Sequence, residues 1–126
     1  FRTIRPTGPL DSPQEIDGAA LETLFFQSLS AINDYCSLNY TIYFWRTQTG
    51  LEVDFILYGP QGLHAFEIKR AAKVNTKDFK GLKAFKDDYP ECKAYFIYLG
   101  KNKEYHDGIN VIPLETALRE LPEILK

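Results

Sequence analysis

One aspartate, one glutamate and one lysine have the types and the spacing of a hydrolytic metal site. They are Asp54, Glu67 and Lys69, and they lie in residues 51–58 and 63–70, two segments with the apolar and β-branched composition of strands. The four residues between the segments, Gly-Pro-Gln-Gly, are typical of a turn. The sequence therefore predicts a β-hairpin that carries all three side chains.

The register of this hairpin decides which side chains meet. If Tyr58 pairs with Leu63, Asp54 lies directly opposite Glu67 with Cβ atoms roughly 5 Å apart, and Lys69 follows on the same face. Because like charges in opposed positions are destabilising, such a pair is expected to hold a proton, a cation or a metal ion. A hard ion such as Mg²⁺ prefers carboxylate oxygens. The spacing thus indicates a site suited to phosphodiester cleavage.

An ordinary solvent-facing sheet surface would use the same residue types. In this register Glu52 lies opposite Lys69, and the two would form a cross-strand ion pair without any catalytic role. Since a short motif has a high false-positive rate, the spacing alone leaves both interpretations open.

A helix before the hairpin adds a fourth candidate. Residues 17–35 carry apolar side chains at helical spacing, including Leu21, Leu24, Phe25 and Leu29. At about 100° per residue, Glu22 projects at the edge of this apolar face. It is either an additional acid of the site or a flanking residue that extends to water near the start of the helix.

The remaining segments predict an α/β fold in which a mixed sheet carries helices on its faces. The hairpin is preceded by a strand at residues 40–47 and followed by a helix at residues 76–88, with Thr76 as its N-cap. Later come strands at residues 93–99 and 109–112 and a last helix at residues 113–121. The core order is α-β-β-β-α-β, and the strand–helix–strand passage implies a parallel pair joined by a right-handed crossover.

Basic residues flank and follow the predicted site. Two arginines, Arg46 and Arg70, lie beside it, and five lysines precede or line the second helix: Lys73, Lys77, Lys80, Lys83 and Lys86. All of them could contact phosphate groups, and such binding would weaken with salt. The arginines would equally suit structural ion pairs, and the lysines a solvated helix face that nearby aspartates balance.

Bulk properties exclude several classes of function. A chain of 126 residues suits one compact domain, and a net charge of −2 excludes nucleic-acid binding by overall charge. No apolar run approaches the ~20 residues of a membrane span. Cys36 and Cys92 lack metal spacing and are expected to be buried residues of a cytoplasmic protein, and His64 and His106 to be unpaired surface or edge residues.

The first residues indicate a longer parent protein. The chain contains no methionine, and residues 1–16 have the composition of an arm or linker. We therefore expect a further domain before residue 1 and assign residues 17–126 to the domain that holds the site.

Five short segments of this chain resemble a known superfamily. Together they resemble PD-(D/E)xK nucleases, which have the restriction-endonuclease-like fold, and specifically the uncharacterised C-terminal domain of bacterial and archaeal AAA-type ATPases. The resemblance covers roughly residues 18–99. The segments are Gly18 to Glu22 (GAALE), Tyr43 to Thr47 (YFWRT), Gly50 to Phe55 (GLEVDF), Phe66 to Lys69 (FEIK) and Gly81 to Phe85 (GLKAF).

The resemblance implies a role for each candidate. Asp54 and Glu67 become ligands of Mg²⁺ or Mn²⁺, with the Ile68 carbonyl as a third donor, Lys69 positions or activates the attacking water, and Glu22 is an auxiliary acid. The implied partners are nucleic acid, above all DNA, and an ATPase domain earlier in the same chain. Because fold does not determine function, the same features suit a non-catalytic module that docks nucleic acid or protein for its ATPase.

Overall fold

The computed structural model describes the backbone of residues 13–126 and the side chains of residues 20–126. Three α-helices, six strands and one 3₁₀ helix follow one another along this part of the chain. In order they are α1 (Pro13–Tyr35), β1 (Thr41–Arg46), β2 (Glu52–Gly59), β3 (Gly62–Ile68), the 3₁₀ helix (Thr76–Phe79), α2 (Lys80–Asp88), β4 (Lys93–Tyr98), β5 (Glu104–His106), β6 (Ile109–Pro113) and α3 (Leu114–Leu125).

The strands form one mixed sheet in the order β1-β2-β3-β4-β6-β5. β1, β2 and β3 are antiparallel neighbours, β4 runs parallel to both β3 and β6, and β5 pairs antiparallel with β6. The α/β class and the predicted order α-β-β-β-α-β are therefore confirmed. β5 was not predicted from the sequence; it is only three residues long and mostly exposed.

Each face of the sheet has its own hydrophobic core. On one face α1 and α3 pack against the sheet, and Phe25, Leu29 and Leu121 are fully buried there with Phe66 and Ile97. On the other face the 3₁₀ helix and α2 pack, and their buried residues Phe79, Leu82 and Phe85 meet Val53, Phe96 and Val111. Asp54 lies on β2 and Glu67 on β3, between these two layers, while Lys69 directly follows β3 and Glu22 belongs to α1.

Several helix boundaries differ from those predicted. α1 begins at Pro13, so residues 13–16 of the predicted arm are helical, while residues 1–12 lie outside the described part. Leu24 is 42% exposed, although its spacing placed it on the apolar face. The last helix continues to Leu125 and includes Pro122.

The start of the second helix is a correction with a clear physical reason. Its cap is Asn75 and not Thr76: the Asn75 side chain accepts the Lys77 N–H, and the Asp78 carboxylate accepts the Asn75 N–H. This reciprocal pair is a capping box, which satisfies two backbone donors at the helix start. It places the 3₁₀ helix ahead of α2.

α2 packs very closely on the first residue of β2. A Cβ atom on Gly81 would lie 2.1 Å from the Glu52 carbonyl oxygen, so only glycine fits at this crossing. The contact joins α2 to the end of β2 that leads into Asp54.

His64 and the cysteines also depart from expectation. His64 is buried at 1% exposure, and its Nε2 lies 3.0 Å from the Tyr40 hydroxyl, which donates its own proton to the Leu125 carbonyl. Nε2 must therefore carry the imidazole hydrogen, and the buried Nδ1 has no partner. Burial, and secondly Lys93, lower the His64 pKa to about 4. Cys92 is buried as expected, but Cys36 is exposed.

No helix within residues 13–126 has the length and apolar character required to cross a membrane.

Candidate functional site

The predicted hairpin register is confirmed. Tyr58 pairs with Leu63, and the backbone ladder runs on as far as the pair Phe55–Phe66. The site lies immediately beyond this last pair, where β2 begins and β3 ends.

Side chains continue the pairing beyond the backbone ladder. The Ile68 N–H donates to Asp54 Oδ2 at 2.8 Å, and the Asp54 N–H donates to Glu67 Oε1 at 3.2 Å. Each carboxyl group is therefore held by a backbone amide. These reciprocal hydrogen bonds orient both acids and bring them together, as the register predicted.

The carboxyl group of Glu67 has a raised pKa and keeps its proton at a higher pH than an ordinary glutamate does. The pKa of Glu67 is raised to about 9, first by burial and then by the negative charge of Asp54 and a hydrogen bond between the two side chains. Glu52 adds to the rise, while the hydrogen bond from the Asp54 backbone opposes it. Glu67 is thus protonated at pH 7 and its proton is directed to Asp54. The pair holds a proton, which is one of the expected ways of relieving repulsion.

A β-bulge lies at the same position. Tyr43 pairs with Ile56 and Trp45 with Val53, so Phe44 alone is opposite two residues of β2, Asp54 and Phe55. A bulge of this kind bends the strand and re-aims its side chains. Here Val53 points into the core on the α2 face of the sheet, and Phe55 points into the core on the face covered by α1 and α3.

An open cleft of about 510 Å³ lies against the bulge. Glu22 from α1 lines it together with Asp54, so the structure brings the predicted auxiliary acid to the same cleft as one member of the carboxylate pair, whereas Glu67 and Lys69 are not among its lining residues. The other walls come from α1 and β1 and are largely aromatic, including Phe26 and Phe44, with Arg46 and Glu52 also present.

Lys69 has an ion-pair partner that was not predicted from the sequence. Its ammonium forms an ion pair with the Asp78 carboxylate, whose side chain is only 9% exposed and belongs to the capping box. The predicted Glu52–Lys69 pair is wrong, because Glu52 instead pairs with Arg46 at 2.7 Å. The spacing Asn75-x-x-Asp78 is a capping-box signature that could have pointed to Asp78 in advance.

The Ile68 carbonyl points toward the acidic pair. The Ile68 N–H faces Asp54 on β2, whereas the Lys69 N–H donates to the Ile97 carbonyl on β4. Because the N–H and C=O of one strand residue point to the same side, the Ile68 carbonyl also faces the β2 side. It is therefore well placed to act as a third oxygen donor.

The family model described as Domain of unknown function (DUF4143) matches residues 17–117. The chain belongs to this family. A comparison with curated proteins finds no match. The DUF4143 match extends from α1 into α3 and so includes all four predicted catalytic residues.

The basic residues of this DUF4143 domain divide into two groups. Arg70, Lys73, Lys77 and Lys80 are exposed at the end of β3 and along the following loop and helix. Arg46 and Lys83 form exposed ion pairs, Arg46 with Glu52 and Lys83 with Asp107 at 3.2 Å. The ion-pair alternative thus holds for Arg46, although exposed pairs contribute little stability and exchange readily.

The donor set decides which kind of metal site would fit. Among the side chains that the structure describes, no group of three or more His, Cys, Asp and Glu residues is arranged to hold a metal ion. Two carboxylates and a carbonyl are too few for an all-protein cage. Mg²⁺, however, is commonly bound by one or two carboxylates together with waters and substrate phosphates. Asp54, Glu67 and the Ile68 carbonyl fit this kind of magnesium site, in which water and substrate supply the other ligands.

Proposed function

We propose that this domain is a metal-dependent phosphodiesterase of the PD-(D/E)xK type that cleaves nucleic acid, with DNA as the first candidate. The observation that carries the proposal is the Asp54–Glu67 pair, which two backbone amides orient at the end of a hairpin and in which the pKa of Glu67 is raised. Such a strongly shifted carboxyl pair next to a cleft is typical of functional sites.

Asp54, Glu67 and the Ile68 carbonyl would hold Mg²⁺ or Mn²⁺ in this scheme. The ion supplies the polarisation of a phosphoryl oxygen and the acidification of a water molecule. Glu67 must release its proton when the ion binds, because a protonated carboxyl group is a poor ligand. Binding should therefore strengthen as the pH rises towards 9.

The other residues would act on charge and position. Lys69, oriented by Asp78, would offset the negative charge that builds on the phosphate. Glu22, on the α1 side of the cleft, would accept a proton through water. The exposed Arg70, Lys73, Lys77 and Lys80, and with them Arg46 and Lys83, would contact phosphates along the strand.

The proposal includes a cytoplasmic setting and a partner. The domain would follow an AAA-type ATPase domain in the same chain, which would deliver or remodel the nucleic acid that this domain cleaves.

A docking module without catalysis is the second candidate. Two observations favour it: only two carboxylates meet in the described structure, and the Lys69 ammonium is already paired with Asp78. In this case the domain would bind nucleic acid or protein for its ATPase, and the acidic pair would serve only to order the end of the hairpin.

Cleavage of labelled DNA with Mn²⁺ tests the first candidate. We expect Asp54→Asn to reduce cleavage at least about 100-fold, because it removes one of the two charged ligands. Asp87→Asn, which makes the same change on an exposed residue of α2, is the matched control and should cleave like the wild type. Equal rates for the two variants, or no cleavage by the wild type, would favour the docking module.

A further inference from the structure

Phe44 is exposed in a way that packing does not explain. It lies on the edge strand β1, it is 60% exposed, and it lines the cleft beside Asp54. Other aromatic rings support it from within the protein: the Phe26 ring is nearly parallel at 6.4 Å between centroids, and the Phe55 ring lies at 5.8 Å. The Phe44 ring is therefore held in place by Phe26 and Phe55, and much of its surface faces the cleft.

The bulge sets the distance from this ring to the acidic pair. Phe44 is directly opposite Asp54 and Phe55 across the β1–β2 ladder. Neighbouring strands lie about 4.8 Å apart, so a planar group stacked on Phe44 would be about one strand spacing from Asp54. A ligand that joins a flat ring to a phosphate by a short linker matches this arrangement.

The size and chemistry of the cleft match such a ligand. A volume of about 510 Å³ is within the usual range for small-molecule sites and has room for a single nucleotide. Arg46 lies on the same wall, and its exposed pair with Glu52 is of the weak kind that a phosphate can displace. Bases inside a duplex stack on one another, whereas unpaired bases are free to stack on aromatic side chains.

We infer that the cleft binds an unpaired nucleotide of a single-stranded nucleic acid, with its base on Phe44 and its phosphate beside Asp54. This inference rests on the proposed function and adds the substrate class. Glu22, Glu52 and Asp54 outnumber Arg46 in the cleft, so a polyanion enters only when a divalent ion offsets their charge. Single-strand binding at this site therefore depends on the ion.

Trp45 provides a direct signal for the test. It is the single tryptophan of the chain, it lines the cleft, and it follows Phe44 in the sequence. Two signals can be followed in the presence of Ca²⁺: the fluorescence of Trp45 and the anisotropy of a labelled single-stranded oligonucleotide. The same measurements are made with a duplex of the same sequence and with an oligo-arginine peptide as alternative ligands. These readouts report binding without any cleavage.

The variants separate stacking from folding. Phe44→Leu keeps an apolar side chain on Phe26 and Phe55 but removes the aromatic face, and Phe44→Trp enlarges that face. Tyr43→Ala is the matched control, because Tyr43 is 50% exposed on the same strand and does not line the cleft. Melting curves establish that each variant is folded before it is compared.

We expect the wild type to bind the single strand more tightly than the duplex, and only with Ca²⁺. Phe44→Leu should weaken single-strand binding about 5- to 100-fold, which is the measured range for loss of one base–aromatic stack. Phe44→Trp should retain binding, and Tyr43→Ala should change it less than twofold.

Three results would overturn the inference: equal affinity for duplex and single strand, equal effects of Phe44→Leu and Tyr43→Ala, or Phe44-dependent binding of the peptide alone. The proposed function is judged separately. Metal-dependent cleavage that Asp54→Asn abolishes would still support it, even if Phe44 had no effect on any nucleic acid.

Discussion

At the scale of single residues, the decisive feature is a partly buried carboxyl group with a raised pKa. Glu67 has a pKa of about 9 in the folded protein, against 4.5 for an ordinary glutamate. The folded state therefore binds more protons than the unfolded state between these values, and stability falls as the pH rises through that window. The contribution of Glu67 is fully present below about pH 4.5 and is lost by about pH 9.

Glu67→Gln should remove this loss of stability. The glutamine carbonyl can still accept the Asp54 N–H and its amide can donate to the Asp54 carboxylate, as the protonated acid does. In urea titrations with EDTA, we expect the variant and the wild type to have similar free energies of unfolding at pH 5, and the variant to be more stable by several kcal/mol at pH 9.

Glu115→Gln, an exposed acid of α3, is the control for this comparison and should follow the wild-type curve. His64, whose pKa of about 4 makes stability fall as the pH drops from 6.5, is present in all three proteins and cancels. Parallel curves for Glu67→Gln and the wild type across pH 5–9 would show that Glu67 titrates normally.

Two pairs of side chains show which contacts could be predicted from the sequence and which could not. Alternation and turn composition were sufficient to pair Asp54 with Glu67, because the period of a strand is local. The partner of Lys69 was not predictable in the same way. Asp78 reaches it across a loop, and the choice between Asp78 and Glu52 depends on how the 3₁₀ helix packs.

At the scale of elements, α2 and β2 meet through a glycine that positions the site. Gly81 lies against the Glu52 carbonyl, and β2 leads from Glu52 directly to Asp54. The bulge opposite Phe44 then redirects the strand. Neither feature was predicted, because each depends on a second element that the local pattern of β2 does not contain.

Gly81→Ala distinguishes helix propensity from packing. Propensity alone predicts that alanine stabilises the helix by about 1 kcal/mol. The new Cβ, however, would lie 2.1 Å from a backbone oxygen that cannot rotate away, and overpacking of this kind costs about 1–3 kcal/mol. We expect a net loss of up to about 2 kcal/mol in the free energy of unfolding, measured in urea.

Lys80→Ala is the control in the same helix, since Lys80 is exposed and the change should stay within about 0.5 kcal/mol of the wild type. A gain in stability for Gly81→Ala would mean that α2 can move away from β2 without cost. The close crossing would then not be what positions Asp54.

At the scale of the whole molecule, the α-helices and the six-stranded sheet of residues 13–126 support a small acidic site. The fold class, the element order and the parallel crossover followed from apolar periodicity, which reports burial wherever one face of an element is covered. Burial of a polar residue follows no such rule. His64 looked like an edge residue, yet it lies under Tyr40 and the end of α3, elements distant from it in the sequence.

The final prediction joins the stability of the whole domain to its proposed metal. An ion that binds only the folded state stabilises it by mass action, about 2.7 kcal/mol at a hundredfold excess over Kd. Mn²⁺ at millimolar concentration should therefore raise the wild-type melting midpoint. Asp54→Asn should be at least as stable without metal, because its amide oxygen still accepts the Ile68 N–H while the charge beside Glu67 is gone.

The same variant should show no shift with Mn²⁺, since it lacks one charged ligand, and Asp87→Asn should shift like the wild type. Thermal melts of the three proteins at pH 8, each with EDTA and with Mn²⁺, make the comparison. A wild-type midpoint that Mn²⁺ leaves unchanged would count against catalysis. The hydrogen bonds of Asp54 and Glu67 would then be a purely structural link between β2 and β3, and the docking module would be the better account of this domain.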